Sequence, residues 1–92
     1  MPALHISVAG QVQGVGFRWA CRRQAQALGL AGWVSNRADG SVEIHVEGNA
    51  AALEPFAAWC REGPAGAVVR RATVQPAAIS GAVAFVIRLD EE

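Results

Sequence analysis

The sequence contains no lysine among its 92 residues, and its formal net charge is zero because eight basic side chains, all arginine, balance eight acidic ones. Without lysine the chain cannot form a Walker-type phosphate loop, in which a lysine contacts the nucleotide phosphates. A balanced charge also gives no broad positive surface for nucleic acid or for an anionic membrane. We therefore expect neither of these partners, and we expect any positive field to be local.

Long apolar runs and clustered cysteines are also missing. No run approaches the ~18 residues that a membrane span needs, and no leader segment precedes the first predicted strand, so we expect a cytoplasmic protein. Cys21 and Cys60 fall on separate predicted helices without metal-ligand spacing. We expect both to be reduced and buried and expect no metal site, while a disulfide between the two helices remains an open alternative.

The apolar content is sufficient for one core. Hydrophobic residues make up 52% of the chain, which predicts a single domain over residues 1–92. The apolar period switches between two and about 3.6 along the sequence. Strands are predicted over 4–12, 32–37, 42–47, 67–74 and 83–89, and helices after positions 16 and 49, with a Asp-Gly hairpin turn at 39–40.

This order predicts an α+β fold: a ferredoxin-like βαββαβ sandwich with an additional C-terminal strand and two helices on one face of an antiparallel sheet. RNA-binding modules share that topology, but they stack bases on aromatic side chains of the central strands, and residues 42–46 contain none. Within the second helix, Asn49 is expected to cap the start, and Pro55 to make the first turn irregular or to delay the helix to about Leu53. His5 and His45 occupy outward strand positions and are expected at the surface.

Residues 13–18, with the sequence QGVGFR, predict an oxyanion-binding turn. Gly14 and Gly16 let successive backbone N–H groups point into one concavity, and the helix that follows adds unpaired N–H groups and a partial positive charge. Arg18 adds a planar fork that can bind two phosphate oxygens together. We therefore assign phosphate binding to the whole stretch, Gln13, Gly14, Val15, Gly16, Phe17 and Arg18.

Four segments together resemble the acylphosphatase family over nearly the whole chain: residues 8–18, 32–36, 39–43 and 63–64, with the sequences VAGQVQGVGFR, GWVSN, DGSVE and GP. The resemblance implies a small cytosolic enzyme that needs no metal or organic cofactor. It implies hydrolysis of a small-molecule acyl phosphate to a carboxylate and inorganic phosphate. We expect a monomer, and we expect inorganic phosphate or sulfate to compete with the substrate by binding at the turn and Arg18. Arg18 matches the family's phosphate-binding arginine, and Asn36 matches its asparagine that orients the attacking water. Ser35 departs from the basic residue that often precedes this asparagine, which concerns substrate preference.

Two alternatives remain open from the sequence. The domain could be a non-catalytic module that senses phosphate or carbamoyl phosphate, because related folds occur within larger carbamoyl-transfer proteins. It could also be an interaction domain whose outward sheet face binds a partner. Among the three tryptophans, Trp19 adjoins Arg18 and is the one best placed to contact an acyl group.

Overall fold

The structure, a computed structural model, describes residues 2–89; Met1 and residues 90–92 of the predicted domain lie outside this range. Seven elements follow one another along the chain. They are β1 (Ala3–Gln11), α1 (Phe17–Ala27), β2 (Ala31–Asn36), β3 (Val42–Glu47), α2 (Ala50–Glu62), β4 (Val68–Ala77) and β5 (Phe85–Ile87).

The strands form one sheet in the order β4-β1-β3-β2-β5. β1 pairs antiparallel with β3 and β4, and β2 pairs antiparallel with β3. Helix α1 contacts β2 and β5, α2 contacts β4 and β1, and the helices contact each other, so both cover the same face. The predicted fold class is thereby confirmed, with one refinement: the short strand β5 runs parallel to β2, which makes the sheet mixed.

The core lies between this sheet and the two helices. Alternate residues of the strands point inward, because direct partners in an antiparallel ladder share a face, as Ile6 and Ile44 do. The helices contribute Phe17 and Phe56, which are fully buried. Gly63 ends α2 with a positive φ of 73° and a bond from its N–H to the Trp59 carbonyl, at the predicted Gly-Pro end of the helix.

The start of α2 departs from expectation. Asn49 caps it as predicted, since its Oδ1 accepts a hydrogen bond from the Ala51 N–H at 2.9 Å. However, the helix is regular from Ala50, so the prediction that Pro55 delays it or distorts its first turn is wrong. Pro55 lies on the exposed side, and so does Ala51, whose carbonyl would otherwise accept the missing N–H bond. Water can satisfy that carbonyl, so the helix continues through the proline.

The outward face of β3 is covered, contrary to expectation. His45 is 8% exposed and Glu47 5%, so placing His45 at the surface was wrong. The Glu47 carboxylate accepts hydrogen bonds from the Ser80 N–H (3.0 Å) and hydroxyl (2.7 Å), from the Gly81 and Ala82 N–H groups (3.0 and 3.2 Å), and from His45. The segment between β4 and β5 therefore folds over this end of the strand.

His5, on the neighbouring strand, is only partly exposed. Its Nε2 lies 2.7 Å from a carboxylate oxygen of Glu43, so it forms part of a polar layer on the outward face. The two histidines thus have carboxylate partners on β3.

Candidate active site

The turn between β1 and α1 has the backbone shape that the glycine spacing predicts. Gly14 and Gly16 have φ angles of 75° and 78°, in the left-handed region that side chains with a Cβ rarely adopt. A Cβ built at either position would meet no atom within 4 Å, so space does not demand the glycines. Glycine is needed at both positions because of the backbone conformation, which also sets the direction of the peptide groups in this turn.

The N-terminus of α1 opens onto the same turn. Gly16 is its N-cap residue, no side chain caps it, and no acidic residue lies in its first turn. The first N–H groups of a helix have no partner within the helix, and they carry its partial positive charge. An anion at this point would satisfy them. Arg18, which is half-buried, adds a full positive charge one residue into the helix.

Asn36 reaches the turn from the last position of β2. It is 8% exposed, and its backbone pairs with Val42 at the start of β3. Its Oδ1 atom is buried and has no hydrogen-bond partner among the described residues. Because an unpaired buried acceptor costs free energy, this atom is suited to accept a hydrogen bond from a bound water or ligand.

Gln13 joins these two parts of the site. Its Nε2 group donates to the Arg37 carbonyl at 2.8 Å and to the Ser41 carbonyl at 2.9 Å. Both carbonyls belong to the hairpin that follows Asn36. One side-chain amide therefore fixes the turn at residues 13–18 relative to the strand that carries Asn36.

Hydrogen bonds within residues 37–41 stabilise the hairpin. The Asp39 carboxylate accepts hydrogen bonds from the Ser41 hydroxyl (2.6 Å) and N–H (3.0 Å), and the Arg37 N–H donates to the Ser41 carbonyl at 2.8 Å. The hydroxyl bond, and after it the N–H bond, lowers the pKa of Asp39 from its ordinary value. The predicted Asp-Gly turn thus supports the position of Asn36 indirectly.

The turn, the start of α1 and the end of β2 line a cavity of about 210 Å³, the candidate active site, which we call the catalytic cavity. Of the residues predicted for the site, it brings together Gly14, Gly16, Phe17, Arg18 and Asn36. Gln13 and Val15 are not among the residues that line it: the Gln13 side chain binds the hairpin, and Val15 packs against the core.

Three further residues line the catalytic cavity, namely Val12, Trp19 and Ile87. Val12 and Trp19 adjoin the predicted turn, and the sequence drew attention to Trp19 for that reason. Ile87 comes from β5, which meets the site only because that strand pairs with β2 at the sheet edge. No local sequence signal connects it to the turn.

Residues 2–89 contain no group of three or more His, Cys, Asp or Glu side chains arranged to hold a metal ion. No helix in this range is long and apolar enough to cross a membrane. Cys21 and Cys60 are free and buried, as predicted, and burial, together with the neighbouring Cys60, raises the pKa of the Cys21 thiol.

Comparison with known proteins identifies relatives of the chain. The acylphosphatase family model matches residues 4–87. A curated acylphosphatase from Synechococcus sp. (strain CC9902) is 56% identical over 64 residues, which are 70% of this chain and 55% of that protein. The chain thus spans about half the length of that relative.

Solved structures agree with the sequence matches. The crystal structure of acylphosphatase from Bacillus subtilis superposes with a TM-score of 0.93 at 39% identity, over 96% of this chain and 99% of that one. A structure of full-length HypF in its phosphate- and nucleotide-bound form superposes with a TM-score of 0.90 at 31% identity, over 99% of this chain but only 12% of HypF. The resemblance predicted from the sequence is confirmed, and the chain belongs to the acylphosphatase family of hydrolases.

Proposed function

We propose that this protein hydrolyses acyl phosphates to a carboxylate and inorganic phosphate in the catalytic cavity. One observation carries the proposal: a single cavity of about 210 Å³ is lined by residues of the turn 13–18, including Arg18, and by Asn36. The buried Oδ1 of Asn36 has no partner among the described residues. A cation with oriented N–H groups, beside an unpaired acceptor, suits an anionic substrate attacked by water.

In this proposal the turn 13–18 holds the phosphate group. Backbone N–H groups of the turn and of the first turn of α1 donate to its oxygens, and the Arg18 guanidinium binds two of them at once. The backbone donors are in place before the substrate arrives, because the glycine conformations and the helix fix their directions. They stabilise the charge that spreads over the phosphate oxygens in a loose transition state.

Asn36 orients the water. Its Oδ1 accepts a hydrogen bond from the water, whose oxygen attacks the phosphorus as the bond from phosphorus to the acyl oxygen breaks. The carboxylate leaves with the electrons of that bond, and the water proton passes to a phosphate oxygen of the substrate. An amide is too weak a base to take the proton itself, so we assign Asn36 an orienting role only.

The lining of the catalytic cavity favours this substrate class. Within residues 2–89, its lining residues include neither a carboxylate nor a histidine. An acyl phosphate needs little acid or base catalysis, because its leaving group is already a weakly basic carboxylate. Positioning and charge stabilisation are then sufficient.

The decisive experiment measures turnover and anion binding in parallel. Purified protein is mixed with benzoyl phosphate, and the affinity for inorganic phosphate is titrated by calorimetry for wild type, Arg18→Ala, Asn36→Ala and the control Arg22→Ala. Arg22 lies on the same helix but does not line the catalytic cavity. We expect Arg18→Ala to lose turnover and phosphate binding together, Asn36→Ala to lose turnover alone, and Arg22→Ala to keep both.

The asymmetry follows from when each contact is made. The phosphate contact exists in the ground state and the transition state, whereas an oriented water matters mainly to kcat. Circular dichroism checks that each variant is folded, since Asn36 is also part of β2. A folded Asn36→Ala protein that no longer binds phosphate would contradict the orienting role, and a wild type without turnover would contradict the proposed activity.

A second candidate is a non-catalytic phosphate-binding module, which the likeness to a small part of HypF favours. Such a module would bind inorganic phosphate at the turn but leave benzoyl phosphate to decay at its uncatalysed rate. The same two measurements therefore distinguish it from the enzyme.

The remaining features of the proposed function concern partners and place of action. We propose that the protein acts as a cytoplasmic monomer on small molecules, with no nucleic-acid or membrane partner, and that inorganic phosphate or sulfate competes with substrate at the turn. The zero net charge supports the absence of a nucleic-acid or membrane partner, and the uncapped helix N-terminus supports competition by anions.

A further inference from the structure

Trp19 is unusually placed for a large aromatic side chain. It is 54% exposed, although burying an indole is strongly favourable. It lines two hollows at once: the catalytic cavity, and a wider hollow of about 350 Å³ along the two helices, which we call the helix groove. The indole therefore stands where these two spaces meet.

Arg23 occupies one side of this indole. Its guanidinium carbon lies 4.8 Å from the centre of the Trp19 ring, as expected for side chains four residues apart on a helix. Arg23 lines the helix groove but not the catalytic cavity. The guanidinium thus contacts the ring from the groove, and the part of the indole that lines the catalytic cavity, which we call its open side, is not covered by Arg23.

The size of the catalytic cavity makes that open side relevant to a substrate. Its volume is about 210 Å³, and a phosphate group bound at the turn takes up part of this space. The acyl group bonded to that phosphate must lie in the remaining space, whose lining includes the apolar indole of Trp19.

We infer that Trp19 is a specificity-determining residue: the open side of its indole is a platform for the acyl group, so the protein prefers acyl phosphates with a flat aryl group over those with a small alkyl group. The preference in turnover rests on the proposed function, whereas the preference in binding does not. Arg23 acts as a positioning residue that holds the indole from the groove side.

The test uses phosphonate analogues, in which a methylene group replaces the bridging oxygen so that they bind without being hydrolysed. Dissociation constants of phenacylphosphonate, acetonylphosphonate and inorganic phosphate are measured by calorimetry for wild type, Trp19→Ala, Trp19→Phe and the control Ile79→Ala. Ile79 is equally exposed, at 50%, and lines neither hollow. The kcat/KM values for benzoyl and acetyl phosphate are measured on the same proteins.

We expect wild type to bind phenacylphosphonate about tenfold more tightly than acetonylphosphonate, which is ~1.4 kcal/mol of ring contact. Trp19→Ala should reduce this ratio to about twofold or less, because alanine lacks the indole ring on which the aryl group stacks. Trp19→Phe should keep most of the ratio and Ile79→Ala all of it. The affinity for inorganic phosphate should not change in any variant.

A ratio that is unchanged in Trp19→Ala, or a loss of inorganic phosphate binding in that variant, would overturn the inference. Failure of the proposed function looks different. If Trp19 governs the phosphonate ratio but wild type hydrolyses neither acyl phosphate, the platform stands and the proposed activity falls. If both acyl phosphates are hydrolysed and the ratio of the phosphonate dissociation constants is the same in wild type and Trp19→Ala, the proposed activity is supported and the platform is refuted.

Discussion

Replacing Glu47 with glutamine should make the stability of this protein much less dependent on acid. The Glu47 carboxylate is buried and binds four donors of residues 80–82 together with His45. The Ser80 hydroxyl, then His45, then the backbone N–H groups favour its charged form, and they lower its pKa from 4.5 to about 2. Glutamine keeps the size of the side chain but removes the charge and turns an NH₂ group toward the donors.

The expected loss follows from this shift. A pKa lowered from 4.5 to about 2 corresponds to ~3 kcal/mol of stability, and we take about 2 kcal/mol because the glutamine carbonyl can still accept some of the hydrogen bonds. For a domain of this size each kcal/mol changes Tm by roughly 4–8 °C, so Glu47→Gln should lower Tm at pH 7 by about 10 °C.

The stability that Glu47 contributes should decrease as the pH falls. The folded pKa lies below the unfolded value, so the stabilisation is complete above about pH 4.5 and is lost as the pH falls toward 2. Thermal unfolding followed by circular dichroism, in steps from pH 7 to pH 3, should show the difference between wild type and Glu47→Gln shrinking to less than half. Glu54→Gln, an exposed change on α2, should differ from wild type by no more than about 0.5 kcal/mol throughout. A difference that is absent at pH 7, or equal at both ends of the range, would refute this reasoning.

Further predictions concern the site and the core. Arg18→Lys keeps the charge but loses the planar fork, so kcat/KM for benzoyl phosphate should fall at least ~100-fold; near-normal turnover would show that charge alone suffices. Activity should survive prolonged EDTA treatment and be inhibited competitively by inorganic phosphate, and a loss restored by Zn²⁺ or Mg²⁺ would contradict the proposed mechanism. Cys21 and Cys60 are buried, so both thiols should react with a disulfide reagent many times faster in guanidinium chloride than in the folded protein; equal rates would contradict their burial.

Local patterns predicted the fold well because the physics behind them is local. The alternation in β1 and β3, the Asp-Gly hairpin and the Asn49 cap depend on neighbouring residues, and each occurs where the sequence places it. The position of Asn36 beside residues 13–18, by contrast, does not depend on neighbouring residues. Only the family resemblance linked these two segments, since the contact between them depends on the pairing of the strands and on Gln13.

The wrong predictions share a cause: they depend on parts of the chain that are distant in sequence. Alternation correctly assigned His45 to the outward face, but it carries no information about residues 80–82, which cover that end of the strand. Likewise, whether a helix continues through a proline depends on how that side of the helix packs, and the sequence does not reveal that Ala51 and Pro55 are both exposed.

The two hydrogen bonds of Gln13 limit the groups that can recognise an anion at the proposed site. Because both N–H bonds of its amide nitrogen point at the Arg37 and Ser41 carbonyls, that nitrogen has no donor left for a substrate. In the proposed mechanism, recognition of the phosphate group then rests on main-chain groups and one guanidinium, which respond to the shape and charge of an oxyanion. If Asn36 orients the water as proposed, the same amide makes the distance between the bound phosphate and that water depend on the hairpin at residues 37–41. Substitutions in the hairpin should then alter the reaction without changing any group that touches the substrate.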